Sequence, residues 1–145
     1  MKIKNVIERV DRLIKNEYDR EEKISWLSAV DTLIQRELVM RHEGAVERDT
    51  KYTVNDLDKE LIAQSPYDEM YVMYLMLKIY FFNGEIELYN NAAEEYNNLL
   101  HEYRKWYVRN HRDLPTPKFN YDKKASFNAD LFERAMNAAN GKKDG

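Results

Sequence analysis

The sequence predicts an all-α protein, an antiparallel helical bundle built on one long helical hairpin, with an extended or short-helical C-terminal tail. Three observations carry this expectation. Apolar residues recur at three- and four-residue spacing along most of the chain before the Leu114-Pro115-Thr116-Pro117 run. Glycine and proline number only 4 and 3 in 145 residues, too few for a fold of strands and tight turns. Asn83-Gly84 separates two long helical patterns by a single short connection. With 43% hydrophobic and 34% charged residues, the chain is long enough to bury a core without disulfides or metal. The expected organisation is a helical domain over residues 1–113 and a tail over 114–145 carrying a short helix near 128–139.

Ile3, Val6, Ile7, Val10, Leu13 and Ile14 share one helical face, opposite Lys, Arg and Glu. After a polar break, Asp19 followed by Glu22 reads as a capping-box-like start for a second helix that runs to about His42, with Gly44 as a left-handed stop. Asp31 falls inside or at the edge of its wide apolar arc, and an acid there needs a partner if buried. The pattern weakens from Ala45 to Gln64. There Val54, Leu57 and Leu61 suit a short helix capped by Thr53 and Asp56, and Lys51-Tyr52-Thr53 alone passes for a strand fragment.

Ser65 reads as an N-cap, Pro66 as the first helical residue, and Asp68 and Glu69 as acids at the positive end of a helix dipole. The helix that follows, ending at Asn83-Gly84, is apolar almost all the way round. One stripe holds Met70, Met73, Tyr74, Leu77 and Phe81; the other holds Tyr71, Val72, Leu75, Ile79 and Phe82, and must be covered by the first two helices or by another subunit. Lys78 lies between them, where its charge reaches water. In the next helix Ile86, Tyr89, Ala93, Tyr96, Leu100, Tyr103 and Tyr107 form a coiled-coil-like seam widened by Ala92, Leu99 and Trp106. It ends near Asn110, ahead of the prolines. In the tail, Asn128 caps a short helix bearing Leu131, Phe132, Ala135, Met136 and Ala139.

Charge and motifs bound the function. A formal charge of −3 supplies no bulk basic field for nucleic acid or an anionic membrane. Without cysteine there is no disulfide, thiolate catalysis or Cys-ligated zinc, which fits a reducing compartment. The charged start has no uninterrupted apolar core of a secretory signal, so export is not expected. The apolar run Met70 to Phe82 is broken by Lys78 and falls short of the roughly 20 residues of a membrane span.

His42, His101 and His111 are not at metal-ligand spacing, and neither His42-Glu43 nor His101-Glu102 is completed by a second histidine. The acidic group Asn55, Asp56, Asp58 and Glu60 lacks the glycine and distal glutamate of a calcium loop. Ser25, Ser28, Ser65 and Ser126 have no nucleophile-elbow context, and the carboxylate pairs Glu21-Glu22 and Glu94-Glu95 read as solvated helix surface. No glycine-rich phosphate loop is present. No catalytic residue, cofactor, metal or small-molecule substrate is expected, and the chain reads as a non-enzyme. Arg104, Lys105, Arg109 and Arg112 are candidate phosphate contacts because they interleave with Tyr103, Trp106 and Tyr107, although those aromatics already belong to the seam.

The run SPYDEMYVMYLMLKIYFFNGEIELYNNAAEEYNNLLHEYRKWYVRNH, with PYDEMY, NGE, YNN and a closing WY-x-R-N-H, resembles small helical proteins encoded beside capsid and tail genes in tailed phages and prophages of Gram-positive bacteria. WLSAVDTLIQRELVMRHEG resembles the first half of the same proteins, so the likeness spans most of residues 20 to 113. It implies a head–tail connector or adaptor subunit, assembled as a homo-oligomeric ring that docks to the portal and holds a stopper or tail component. DNA would pass nearby without sequence-specific binding, and the protein would lie in the virion neck after assembly in the bacterial cytoplasm. On that reading the candidate interface is Tyr71, Leu75, Ile79, Phe82, Tyr103, Trp106, Tyr107, Leu131 and Phe132, and the tail is an arm toward a neighbour or the portal. Tyr74 to Leu100 also resembles one tetratricopeptide-like hairpin, which implies instead a monomeric interaction module with a Tyr-lined groove.

Overall fold

The computed structural model describes residues 1–115 and 133–138. Four helices make up its first unit, Met1–Asp113: α1 (Ile3–Leu13), α2 (Arg20–Glu37), α3 (Glu69–Phe82) and α4 (Ile86–Asn110). The fold is an all-α bundle, and among the described residues the only extended pairings are isolated bridges, Lys2 with Glu60 and His42 with Asp113. In the second unit, Leu114–Gly145, residues 133–138 are helical and exposed. The expected cap Asn128 and the candidate interface residues Leu131 and Phe132 lie outside the described residues.

α3 is the central helix, which is why its sequence is apolar on every side. It pairs most extensively with α4 on one side and is covered by α1 and α2 on the other. Tyr71, Val72, Leu75 and Ile79 have no solvent exposure. Of the two covers expected for this stripe, the chain's own helices provide it, so Tyr71, Leu75 and Ile79 are core rather than interface. Phe82 is 52% exposed, with its ring stacked on Trp26 at 5.9 Å and tilted against Tyr18 at 6.1 Å. Lys78 is half-buried, its ammonium 5.6 Å over the Tyr74 ring.

The first helix has no side-chain cap. Its leading N–H groups are satisfied from a distance, Ile3 donating to the Lys59 carbonyl and Lys4 to the Leu57 carbonyl. α2 starts as expected, Asp19 accepting from the Glu22 N–H at 2.8 Å. It ends at Glu37, earlier than expected, and a 3-10 turn follows at Val39–Arg41. The cause is His42. Its Nδ1 bonds the Leu38 carbonyl at 2.6 Å, the acceptor a continued α-helix would need, and its own N–H donates instead to Val39. Gly44 then takes φ +76°. The expected helix around Val54 reduces to a 3-10 turn, Val54–Asp56, with a Thr53–Asp56 capping box, because the next carbonyls turn away to cap α1.

Ser65 does not cap α3. The Ser65–Pro66 peptide is cis, in a turn where Tyr67 N–H donates to the Gln64 carbonyl, and the helix begins at Glu69 behind Asp68. The Ser-Pro-x-Asp-Glu pattern of a helix start is used here to fold the chain back and aim Tyr67 at α4. At the other end of α3, Glu85 N–H bonds Tyr80 and Gly84 N–H bonds Phe81, with Gly84 at φ +74°, a Schellman closure that sets the hairpin.

The two arms of the hairpin differ in length. α4 has 25 residues and α3 has 14, so α4 overshoots by about 11 residues, about 16 Å at 1.5 Å per residue. The overshooting end carries Tyr103, Trp106 and Tyr107. It has no helical partner from α3 and is met instead by the turn at Tyr67 and the loop after α2.

Candidate docking groove

That incomplete cover leaves an open groove of about 760 Å³. One wall is α4, with Tyr103, Trp106, Tyr107 and, just past its end, His111. The opposite wall is the loop from Glu43 to Arg48, and Gln35, Val39 and Ile62 lie beneath. Tyr67 and Pro66 close one end. The aromatics form a continuous sheet of rings: Tyr67 lies 5.6 Å from Tyr103 and 5.8 Å from Trp106, and Trp106 stacks on Tyr103 at 5.8 Å. Tyr107 stacks flat on His111 at 3.7 Å and meets His42 edge-on at 5.1 Å. Tyr103 and Tyr107 are buried, and burial pushes both hydroxyls above their ordinary pKa. Trp106, at 37% exposure, and Val46, at 76%, offer apolar surface to a visitor. Glu43 and Glu47 are exposed on the loop wall, with no ion pair among the described residues. The Arg48 guanidinium is held by the Glu60 carbonyl.

His42 fixes the loop wall. Besides its bond to Leu38, its Nε2 lies 3.0 Å from the Asp113 carboxylate without forming a hydrogen bond. Glu43 N–H donates to the Arg112 carbonyl at 2.7 Å. The chain leaving α4 is thereby clamped to the groove rim.

Of the residues singled out from sequence, Tyr103, Trp106 and Tyr107 come together in the groove, while Phe82 sits at the other end of the hairpin beside exposed Phe81 and Ile86. The four candidate phosphate contacts do not converge with the aromatics. Arg104 borders a separate depression with Leu33 and Glu37, Lys105 pairs with Glu102 at 3.3 Å, and neither Arg109 nor Arg112 lines the groove. The rings turn inward and the cations outward, so interleaving in sequence is separation in space. The seam itself is looser than expected at its start, where Ile86 is 70% exposed. Sequence reasoning missed Tyr67, Gln35 and Val46, because no periodicity marks a turn or loop as a wall.

A second polar cluster lies inside the core. Asp31 is fully buried and accepts from Tyr52 Oη at 2.5 Å, from Tyr71 Oη and from the Ile62 N–H at 3.1 Å. Tyr71 Oη in turn accepts from Ala63 N–H at 2.8 Å. Burial raises the Asp31 pKa, with the two tyrosine hydrogen bonds opposing it, and burial beside this carboxylate pushes both tyrosines up. The cluster is closed to substrate. It ties α2, the 50–63 segment and α3 into one core, supplying the partner that Asp31 requires.

No group of three or more His, Cys, Asp or Glu among the described residues is placed to hold a metal ion, and no described helix is long and apolar enough to cross a membrane. No family model, curated protein or solved structure matches this chain.

Proposed function

We propose that this protein is a non-catalytic structural subunit of the head–tail connector class, which uses the aromatic groove as a docking surface and works as part of a ring on a portal. The observation that carries the docking role is the groove itself, an open, ring-lined channel with Trp106 accessible. Aromatic anchors in a concave site are the usual seat of protein–protein binding energy. The assignment to connectors rests on the sequence resemblance over residues 20 to 113. A monomeric helical interaction module is the second reading, favoured by the same groove; the two part on assembly.

Co-expression with a tailed-phage portal protein, followed by affinity capture and electron microscopy, tests the connector reading. Rings of this chain seated on the portal are expected. A protein that neither binds the portal nor forms rings across salt and concentration overturns it in favour of the monomeric module.

A further inference from the structure

The tail of this chain has the chemistry to fill the groove of a second copy. We infer that Pro115 to Lys124 of one subunit docks along Trp106 and Tyr67 of the next, a head-to-tail arm exchange; the inference rests on the proposed assembly role and names the partner of that groove.

Complementarity of charge and shape argues for it. The segment reads Pro-Thr-Pro-Lys-Phe-Asn-Tyr-Asp-Lys-Lys, two prolines and two aromatics carrying Lys118, Lys123 and Lys124 against one acid, Asp122. The groove offers apolar rings with Glu43 and Glu47 on its rim, and Arg48 is already engaged by the Glu60 carbonyl. Aromatic-lined grooves accept proline-containing segments because the peptide's extended form is pre-organised.

The arm starts beside the groove, and the ring reading supplies the second copy that receives it. The His42–Asp113 contact and the Glu43–Arg112 hydrogen bond anchor the chain at the groove rim, immediately before the segment begins. Leu114 precedes a proline, which favours extended backbone at the start of the arm. An arm that leaves one subunit and enters the next is a heterologous contact, the kind that closes into rings.

Charge exchange between full-length chains is the test. Sedimentation velocity of the wild type should show association that a synthetic peptide of residues 113–125 reverses. The double variant Glu43→Lys/Glu47→Lys and the triple variant Lys118→Glu/Lys123→Glu/Lys124→Glu should each associate about tenfold more weakly, and mixing the two should restore association. All of these changes fall on exposed loop residues or on the tail segment, so the folded core is not at stake. A protein that stays monomeric throughout, or variants that associate like wild type, or mixing without rescue, overturns the arm exchange. Portal capture separates the two levels: portal rings formed equally by the variants leave the connector role standing without the arm, and rescue on mixing without portal binding leaves the arm standing without the connector.

Discussion

The Asp31 cluster and the Trp106 cluster use the same kinds of residue for opposite ends. Around Asp31, two tyrosine hydroxyls and two backbone N–H groups find acceptors within a shell closed by α2, the 50–63 segment and α3. Around Trp106, rings stack on one another but one side stays open. The contrast teaches where each tyrosine's binding capacity is used. Tyr71 uses its hydroxyl to hold the fold together, and the Tyr67–Trp106 surface, lying where α4 overshoots α3, stays open on one side.

The sharpest way to break this contrast is Asp31→Ala. It strips the acceptor from Tyr52 Oη, Tyr71 Oη and Ile62 N–H in a buried site, and urea denaturation should show a loss of at least about 3 kcal/mol. Tyr71→Phe removes one donor to Asp31 and the acceptor for Ala63 N–H while keeping the ring; about 2 kcal/mol should be lost on the same curve. Gly84→Ala probes the turn that closes the α3–α4 hairpin on which both clusters are built. Nothing crowds a Cβ there, so the cost is that of the φ +74° backbone, about 1 kcal/mol.

Stability against pH sharpens the comparison further. The folded Asp31 binds its proton more tightly than the unfolded chain does, so its contribution to stability is fully present below the ordinary value of 3.8 and is lost as pH rises through the raised folded value. Comparing wild type with Asp31→Asn from pH 4 to 7 by denaturant midpoint should show this decline in the wild type and its absence in the variant. An identical slope in both would place the titration elsewhere. The smallest effect on folding belongs to the open cluster: Trp106→Ala should change stability by no more than about 1 kcal/mol while weakening association, measured by sedimentation.

Much of the bundle was legible because local rules decide it. Asp19 and Asn83-Gly84 mark ends through hydrogen bonds within a few residues, the prolines after Asn110 by lacking the N–H a helix needs, and Asp31 announced its need for a partner by its place in or at the edge of an apolar arc. The partners themselves, 21 and 40 residues away at Tyr52 and Tyr71, are set by tertiary packing and leave no local trace. Ser65-Pro66 was misleading because a helix start and a cis-proline turn share the same residues. The groove was half legible: Tyr103, Trp106 and Tyr107 stand out by composition, but its existence depends on unequal helix lengths and on a His42-pinned loop that carries no periodic signal.

The two tryptophans lie apart, Trp26 against Tyr18 and Phe82 and Trp106 in the groove. Substituting Trp26→Phe leaves Trp106 as the sole indole, and its emission can be followed as the full-length protein is concentrated. A blue shift and reduced acrylamide quenching that track association are predicted, because an arriving arm covers the Trp106 face. Association with Trp106 emission and quenching unchanged would contradict the groove as the docking surface.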